Sequence, residues 1–235
     1  MKKLSDQQRE IILHKYSRNE VVAVKALAGT GKTFTLSQLA AQLRAPVLYL
    51  VYNKAAQKDA QKRFPNNVTC KTVHSLCFKE FGHCYSNIGK LGNLTFDVVL
   101  TYLMCGCTVM PTQRWERIKQ VYYAYLMLNT LNTYLYSECV DIMVDHVDHK
   151  LINRLSFDVQ PDVVVTLCEE LWDLMQKISN NGYPMPHDGY LKLFQIYGGP
   201  ISSPIVLLDE AQGSNPVTLG IIQKMSKSLR VLVGD

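Results

Sequence analysis

The chain has 235 residues, of which 47% are hydrophobic and 19% are charged, and its formal net charge is +5. This composition is typical of a globular protein with one large domain or two smaller ones. The most apolar stretch, residues 95–110, is shorter than the ~20 residues of a membrane span and contains Asp97, so we expect a buried helix. The N-terminus lacks the apolar core of a secretory signal, and we expect an intracellular protein.

Positive charge is concentrated in the first third of the chain. Residues 1–81 contain 14 Lys or Arg against five Asp or Glu, whereas residues 82–235 contain 11 against 15. The basic third suits a polyanionic partner, although solvated helix faces would give the same count.

The seven cysteines form no CxxC pair, and a chain of this size needs no disulfides to fold. We therefore expect free, mostly buried thiols. The pair His83-Cys84 and the stretch Asp145–His149 are not completed by a second pair at zinc-like spacing, so no structural metal is expected.

The first third alternates helices and strands. Ser5, with Gln8 at the capping-box position, predicts a helix over residues 5–16. Apolar runs predict strands at residues 21–26, 46–51 and 68–71, and amphipathic segments predict helices at residues 32–43, at 55–63 and from 73 onward. This alternation indicates a parallel sheet covered on both faces.

Two changes of pattern follow. Leu, Tyr and Met at helical spacing dominate residues 82–186, which we predict to be an inserted all-helical subdomain. Residues 187–235 are predicted to return to the first domain, 1–81, with strands at 205–208 and 230–233. A helix begins there at Asn215-Pro216, a cap residue followed by proline at the first helical position.

A glycine-rich loop, AGTGKT, separates the first strand from the next helix. It matches the phosphate-loop pattern G-x-x-x-x-G-K-[ST], except that Ala26 replaces the first glycine. Unpaired N–H groups at a helix start suit phosphate oxygens, Lys32 can reach the β- and γ-phosphates, and the Thr33 hydroxyl can ligate Mg²⁺. The predicted ATP-binding residues of this loop are Ala28, Gly29, Thr30, Gly31, Lys32, Thr33 and Phe34.

An acidic pair follows the strand-like run of IVLLDEAQ. Hydrolysis of a bound nucleotide requires one carboxylate for the metal and another for the attacking water. We expect Asp209 to hold Mg²⁺, Glu210 to act on the water and Gln212 to sense the γ-phosphate. In isolation, two acids after a strand are also typical of a helix N-cap.

Five ordered motifs resemble those of the UvrD/Rep branch of superfamily 1 helicases. They are LSDQQRE, AGTGKT, YNKAA at residues 52–56, TVHS at 72–75 and DEAQ at 209–212. The stretch MPHDGYLKLFQ, residues 185–195, is similar to the F-box DNA helicase group and its viral relatives. The resemblance implies an α/β fold: a RecA-like P-loop NTPase parallel sheet with an inserted all-helical subdomain.

The resemblance also implies a function. ATP hydrolysis with Mg²⁺ would drive movement along single-stranded DNA and unwinding at junctions of single and double strands, from 3′ to 5′. Gln8 would contact the adenine edge, and the location would be the nucleus in a eukaryote or otherwise the cytoplasm. The implied DNA-binding residues are Tyr52, Asn53, Lys54, Thr72, His74 and Tyr190. A structural histidine at 74 and a packed tyrosine at 190 remain open alternatives.

The chain departs from the family pattern at several positions. Phe34 stands where bacterial members often have an arginine, and Val73 replaces an aromatic residue. Gly234-Asp235 resembles the first two residues of G-D-x-x-Q, and we expect the second RecA-like domain, with its arginines, to be missing. This chain alone should then hydrolyse ATP weakly. Two rivals remain: a truncated nucleotide- and DNA-binding module without motor activity, and a small-molecule kinase whose helical insertion is a lid.

Overall fold

The structure is a computed structural model that describes residues 4–108, 117–179, 182–199 and 201–235. Residue contacts divide the chain into two compact units. The first, here called the sheet unit, comprises Met1–Leu76 and Gly199–Asp235, and the second, the helical unit, comprises Cys77–Gly198.

The regular elements of the described residues are numbered in chain order. The strands are β1 (Val21–Lys25), β2 (Val47–Val51), β3 (Val68–Thr72), β4 (Ile205–Leu208) and β5 (Leu229–Gly234). The helices are α1 (Asp6–Leu13), α2 (Lys32–Leu43), α3 (Lys54–Arg63), α4 (Val73–Cys77), α5 (His83–Asn87), α6 (Phe96–Thr101), α7 (Arg117–Tyr136), α8 (His149–Ile152), α9 (Pro161–Gln176), α10 (His187–Tyr197) and α11 (Pro216–Gln223).

The sheet unit is built on a five-stranded parallel sheet with the order β1-β5-β4-β2-β3. Every residue of β2 and β4 is buried, as expected of central strands covered on both faces. The core beside the sheet includes Leu36 and Leu39 of α2, Tyr49 of β2, Leu207 of β4 and Val231 of β5. The predicted α/β fold with a RecA-like P-loop sheet is confirmed.

The first helix begins as predicted. The Ser5 hydroxyl accepts the N–H of Gln8, and the Gln8 side chain accepts the N–H of Ser5, which completes a capping box. The helix ends at Leu13 rather than at Tyr16, because His14 adopts an extended backbone with ψ of 139°. The Tyr16 hydroxyl instead donates a hydrogen bond to the carbonyl of Ile11.

The helical unit has its own core, to which α7 and α9 contribute the largest share of buried side chains. Helix α9 lies within the segment predicted from its sequence, whereas the predicted start of α7 at residues 114–116 lies outside the described residues. The apolar stretch that begins at residue 95 forms α6 and continues as a π-helical segment, Tyr102–Gly106.

The boundaries of the helical unit differ from those in the sequence prediction of 82–186. The unit begins at Cys77 and ends at Gly198, so α10 belongs to it rather than to the returning segment 187–235. Helix α10 buries the side chains of Leu191, Leu193 and Phe194, of which Leu193 lies in the core of the helical unit.

A buried lysine links α10 to the loop after α7. Lys192 has no exposed surface, and its Nζ donates to the carbonyls of Ser137, at 2.9 Å, and Cys139. The same nitrogen lies 4.5 Å from the ring centroid of Tyr134. Burial lowers the pKa of Lys192 to about 8.

All seven cysteines are free, as predicted. Only Cys70, Cys77 and Cys168 are buried, however, so the prediction of mostly buried thiols is wrong. In the ranges that the structure describes, no helix is both long enough and apolar enough to cross a membrane.

Candidate functional site

The glycine-rich loop connects β1 to α2. Gly29 and Gly31 have φ values of 78° and 85°, in the left-handed region that glycine adopts without steric cost. A β-carbon at Gly31 would lie 3.3 Å from Nε2 of Gln8, so the glycine also permits close packing against α1. No side chain among the described residues caps the first turn of α2, whose N–H groups therefore lie open at the loop.

Lys32, the first residue of α2, lies between two carboxylates. Its Nζ is 3.5 Å from Oε2 of Glu210 and forms a shorter contact with Oδ1 of Asp235. The side chain is only 8% exposed, although the two carboxylates are half-exposed. The hydrogen bond to Asp235 raises the pKa of Lys32, which keeps the ammonium charged.

Asp209 brings the end of β4 to the start of α2. The Thr33 hydroxyl donates to Oδ2 of Asp209 at 3.1 Å, although the two residues are 176 positions apart. The backbone N–H of Glu210 donates to Oδ1 of the same carboxylate at 3.0 Å. A hydroxyl and a carboxylate are hard oxygen donors that suit Mg²⁺, so the two predicted metal ligands fit this ion.

Glu210 and Gln212 form a second cluster after β4. Glu210 has φ of 54°, a left-handed conformation that a non-glycine residue adopts at a cost of ~1–2 kcal/mol. Nε2 of Gln212 donates to Oε2 of Glu210 at 2.6 Å, and Oε1 of Gln212 accepts the N–H of Asp235 at 3.2 Å. A β-carbon at Gly234 would lie 2.5 Å from Oε1 of Gln212, so only glycine fits there without displacing it.

Gln8 packs directly on the phosphate loop. Its Nε2 donates to the carbonyl of Thr30 at 3.3 Å and to the hydroxyl of Thr35 at 3.0 Å. Its Oε1 accepts the N–H of Ser5. Both ends of the amide are thus engaged within the protein, and the predicted adenine contact would require Gln8 to exchange these bonds for bonds to the base.

The sequence prediction of the site missed two residues of this cluster. One is Tyr49, and the other is Asp235, which contacts Lys32. The Tyr49 hydroxyl donates to Oδ2 of Asp209, and burial, with the nearby Asp209 charge, strongly raises the pKa of Tyr49. A tyrosine in the otherwise aliphatic run VLYLV is the signal that could have found it, because a buried phenol needs a hydrogen-bond partner. The feature that could have identified Asp235 is its position directly after β5, which matches the position of Asp209 directly after β4.

A cavity of about 510 Å³ adjoins the Thr33–Asp209 contact. Tyr49 and Val51 of β2, Asp209 and Glu210 line it on the sheet side. The other lining residues come from α2, from the turn before α3, from α3 itself and from the loop after Glu210: Thr33, Tyr52, Asn53, Ala56, Asp59, Ala60, Arg63 and Gly213.

The predicted DNA-binding residues at the start of α3 reach the surface. Tyr52 is 80% exposed, and Lys54 is exposed as well. Asn53 is the N-cap of α3, where its side-chain oxygen accepts the N–H of Ala56 at 2.8 Å.

The remaining predicted DNA-binding residues are less accessible. Thr72 is buried, and its hydroxyl accepts the N–H of Ser75 at the start of α4, while His74 is partly buried. Tyr190 belongs to the helical unit and is 3% exposed, with its hydroxyl 3.1 Å from Nδ1 of His187. Tyr190 is therefore packed, which is the alternative that the sequence left open.

A parallel sheet with a glycine-rich loop after β1 and an acidic pair after β4 defines a RecA-like P-loop NTPase fold. The family described as AAA domain matches residues 3–96. In sequence, the chain is similar to two F-box DNA helicases.

Two curated relatives align with essentially the whole chain. F-box DNA helicase 1 of Gallus gallus is 31% identical over 243 residues, covering 99% of this chain and 23% of the relative. F-box DNA helicase protein 1 of Schizosaccharomyces pombe is 28% identical over 243 residues, covering 100% of this chain and 27% of the relative. The chain thus spans about a quarter of the length of these relatives.

Proposed function

We propose that this chain is the ATP-binding motor part of a DNA helicase, which couples ATP hydrolysis to movement along single-stranded DNA and to duplex unwinding. The observation that carries the proposal is the 3.1 Å contact between Thr33 and Asp209, beside the contact of Lys32 with Glu210. It brings a phosphate loop and an acidic pair to one edge of the sheet, as nucleotide hydrolysis requires. The names of the two relatives support DNA as the substrate.

Each polar group at this edge has a role in the proposed reaction. The open N–H groups of α2 and the Lys32 ammonium bind the phosphate oxygens of ATP. Thr33 and Asp209 are the residues that would hold Mg²⁺, which neutralises charge on the phosphates when it is bound. Glu210 orients or deprotonates the attacking water.

ATP would rearrange the charges around Lys32. The ammonium now contacts Glu210 and Asp235, both of which carry the same sign of charge as a phosphate. Phosphate oxygens that bind Lys32 therefore compete with these carboxylates. The Glu210 carboxylate then keeps only its hydrogen bond with Gln212. Gln212 can hold this carboxylate toward the attacking water and can respond to the γ-phosphate.

DNA would bind at the start of α3. The exposed ring of Tyr52 offers a face on which a base can stack, and Lys54 offers a cation to the backbone phosphates. Both residues fall within the basic first third of the sequence. Movement from 3′ to 5′, action at junctions of single and double strands, and a nuclear location in a eukaryotic cell belong to the same proposal.

Nucleotide binding by the purified 235-residue chain tests the proposal. We expect a fluorescent ATP analogue to bind in a Mg²⁺-dependent manner, and Lys32→Ala to weaken that binding roughly tenfold or more, because a charge-assisted bond to phosphate is lost. The matched control is Lys58→Ala, which removes an exposed lysine of α3 and should leave affinity unchanged. Absent binding by the wild type, or equal affinity of the two variants, would reject the site.

Stimulation by DNA then separates a motor from a binding module. Steady-state ATP hydrolysis should rise when single-stranded DNA is added if the chain is a motor part, and should stay flat if it only binds. Phosphate transfer to a small acceptor in place of water would instead support the kinase alternative.

A further inference from the structure

Tyr49 occupies an unusual place in the sheet. It lies in the middle of β2, among aliphatic residues, and is only 1% exposed. The register pairs Tyr49 with Leu207 of β4, so their side chains share one face of the sheet. Asp209 follows Leu207 by two positions, and the long tyrosine side chain spans this offset to reach its carboxylate.

The hydroxyl of Tyr49 completes the support of Asp209. Oδ1 of the carboxylate accepts the backbone N–H of Glu210, and Oδ2 accepts the hydroxyls of Thr33 and Tyr49. Both oxygens of Asp209 thus accept hydrogen bonds, which come from the adjacent backbone, from a side chain of α2 and from a side chain of β2. Because Asp209 is 9% exposed, water has little access with which to replace a lost bond.

We propose that Tyr49 is a positioning residue that orients the Asp209 carboxylate toward the magnesium ion of the bound nucleotide. This inference rests on the proposed function. Groups that hydrogen-bond to a metal ligand fix its orientation, and their removal typically weakens metal binding by about 10–100-fold. The Tyr49 ring packs on Phe64, with centroids 4.2 Å apart, so its position does not depend on the hydroxyl alone.

The variant Tyr49→Phe removes the hydroxyl and keeps the packed ring. Its matched control is Tyr85→Phe, in the helical unit, where a buried tyrosine loses a 2.9 Å bond to the carbonyl of Gln176. The measured quantities are the Mg²⁺ concentration for half-maximal binding of a fluorescent ATP analogue, the affinity for the analogue in EDTA, and the melting temperature.

We expect Tyr49→Phe to raise the half-maximal Mg²⁺ concentration at least tenfold, while affinity in EDTA stays within about twofold of the wild type. Tyr85→Phe should change neither quantity. In an Asp209→Asn background, the Tyr49 substitution should have little further effect on the Mg²⁺ requirement, because Tyr49 acts through Asp209.

The outcomes separate this inference from the proposed function. A wild-type chain without Mg²⁺-dependent binding would reject the function itself. A Mg²⁺-dependent wild type with an unaltered Tyr49→Phe variant would overturn only the positioning role. The positioning role would also be overturned if Tyr49→Phe weakened binding of the analogue equally with Mg²⁺ and in EDTA. The same holds if the Tyr49 substitution changed the Mg²⁺ requirement as much in the Asp209→Asn background as in the wild type. Either result would indicate a merely structural tyrosine.

Discussion

Replacing Lys192 by methionine should destabilise the helical unit by about 2 kcal/mol. Methionine keeps an unbranched apolar stem, but the carbonyls of Ser137 and Cys139 lose their charged donor, and Tyr134 loses its cation. Bonds to a charged group are worth about 1.5–3 kcal/mol each, and a cation over a ring about 0.5–2 kcal/mol. The desolvation of the ammonium, which lowers the pKa of Lys192, offsets part of that sum.

Urea unfolding followed by tryptophan fluorescence measures this change. Trp172 is buried in the helical unit, and its ring centroid lies 5.9 Å from that of Tyr134, so it reports on the same core. The control is Lys150→Met, which replaces an exposed lysine of α8 and should change the free energy of unfolding by less than about 0.5 kcal/mol.

The pH dependence of stability shows how the ionisation of Lys192 affects folding. The pKa of Lys192 is about 8 in the folded chain and near the ordinary lysine value of 10.5 when the chain is unfolded. Between these values the unfolded chain binds a proton that the folded chain does not, so stability from Lys192 rises as pH rises through this window. The stability difference between wild type and Lys192→Met should therefore widen above pH ~8. The reasoning would be refuted if Lys192→Met lost no more free energy of unfolding than Lys150→Met. It would also be refuted if the stability difference between wild type and Lys192→Met narrowed above pH ~8.

Two further predictions concern the sheet unit. Glu210→Gln should retain affinity for the ATP analogue and lose most of any measurable hydrolysis, because the amide cannot accept a proton from water; retained turnover would remove Glu210 from that role. Replacing Tyr52 and Lys54 together by alanine should weaken binding to single-stranded DNA and reduce its salt dependence, measured by anisotropy at several salt concentrations, and an unaltered salt slope would exclude Lys54 as a phosphate contact.

Local patterns in the sequence predicted much of the sheet unit because each pattern has a local cause. The run VLYLV is buried on both faces of the sheet, and the Ser5–Gln8 pair forms the capping box at the start of α1. The end of α1 was harder to predict, because Leu13 and Tyr16 continue the apolar spacing while the extended backbone of His14 ends the helix.

The parts that could not be predicted depend on pairing between distant segments. Thr33 and Asp209 could be predicted as metal ligands from the sequence, because each lies in a motif of its own. The Tyr49 contact requires that β2 lie beside β4 in a known register, which no local pattern specifies. For α10 likewise, periodicity does not tell which of two cores its apolar face joins.

The charged groups around Lys32 can be understood from the proposed nucleotide site. An ammonium that is 8% exposed requires compensation, which Glu210 and Asp235 supply. Glu210 nevertheless lies in a left-handed conformation, which glycine would adopt without steric cost. In this conformation its carboxylate contacts both Lys32 and Gln212. Under the proposed function, phosphate oxygens at Lys32 would replace its contact with Glu210, while the Glu210 carboxylate would keep its present bond to Gln212.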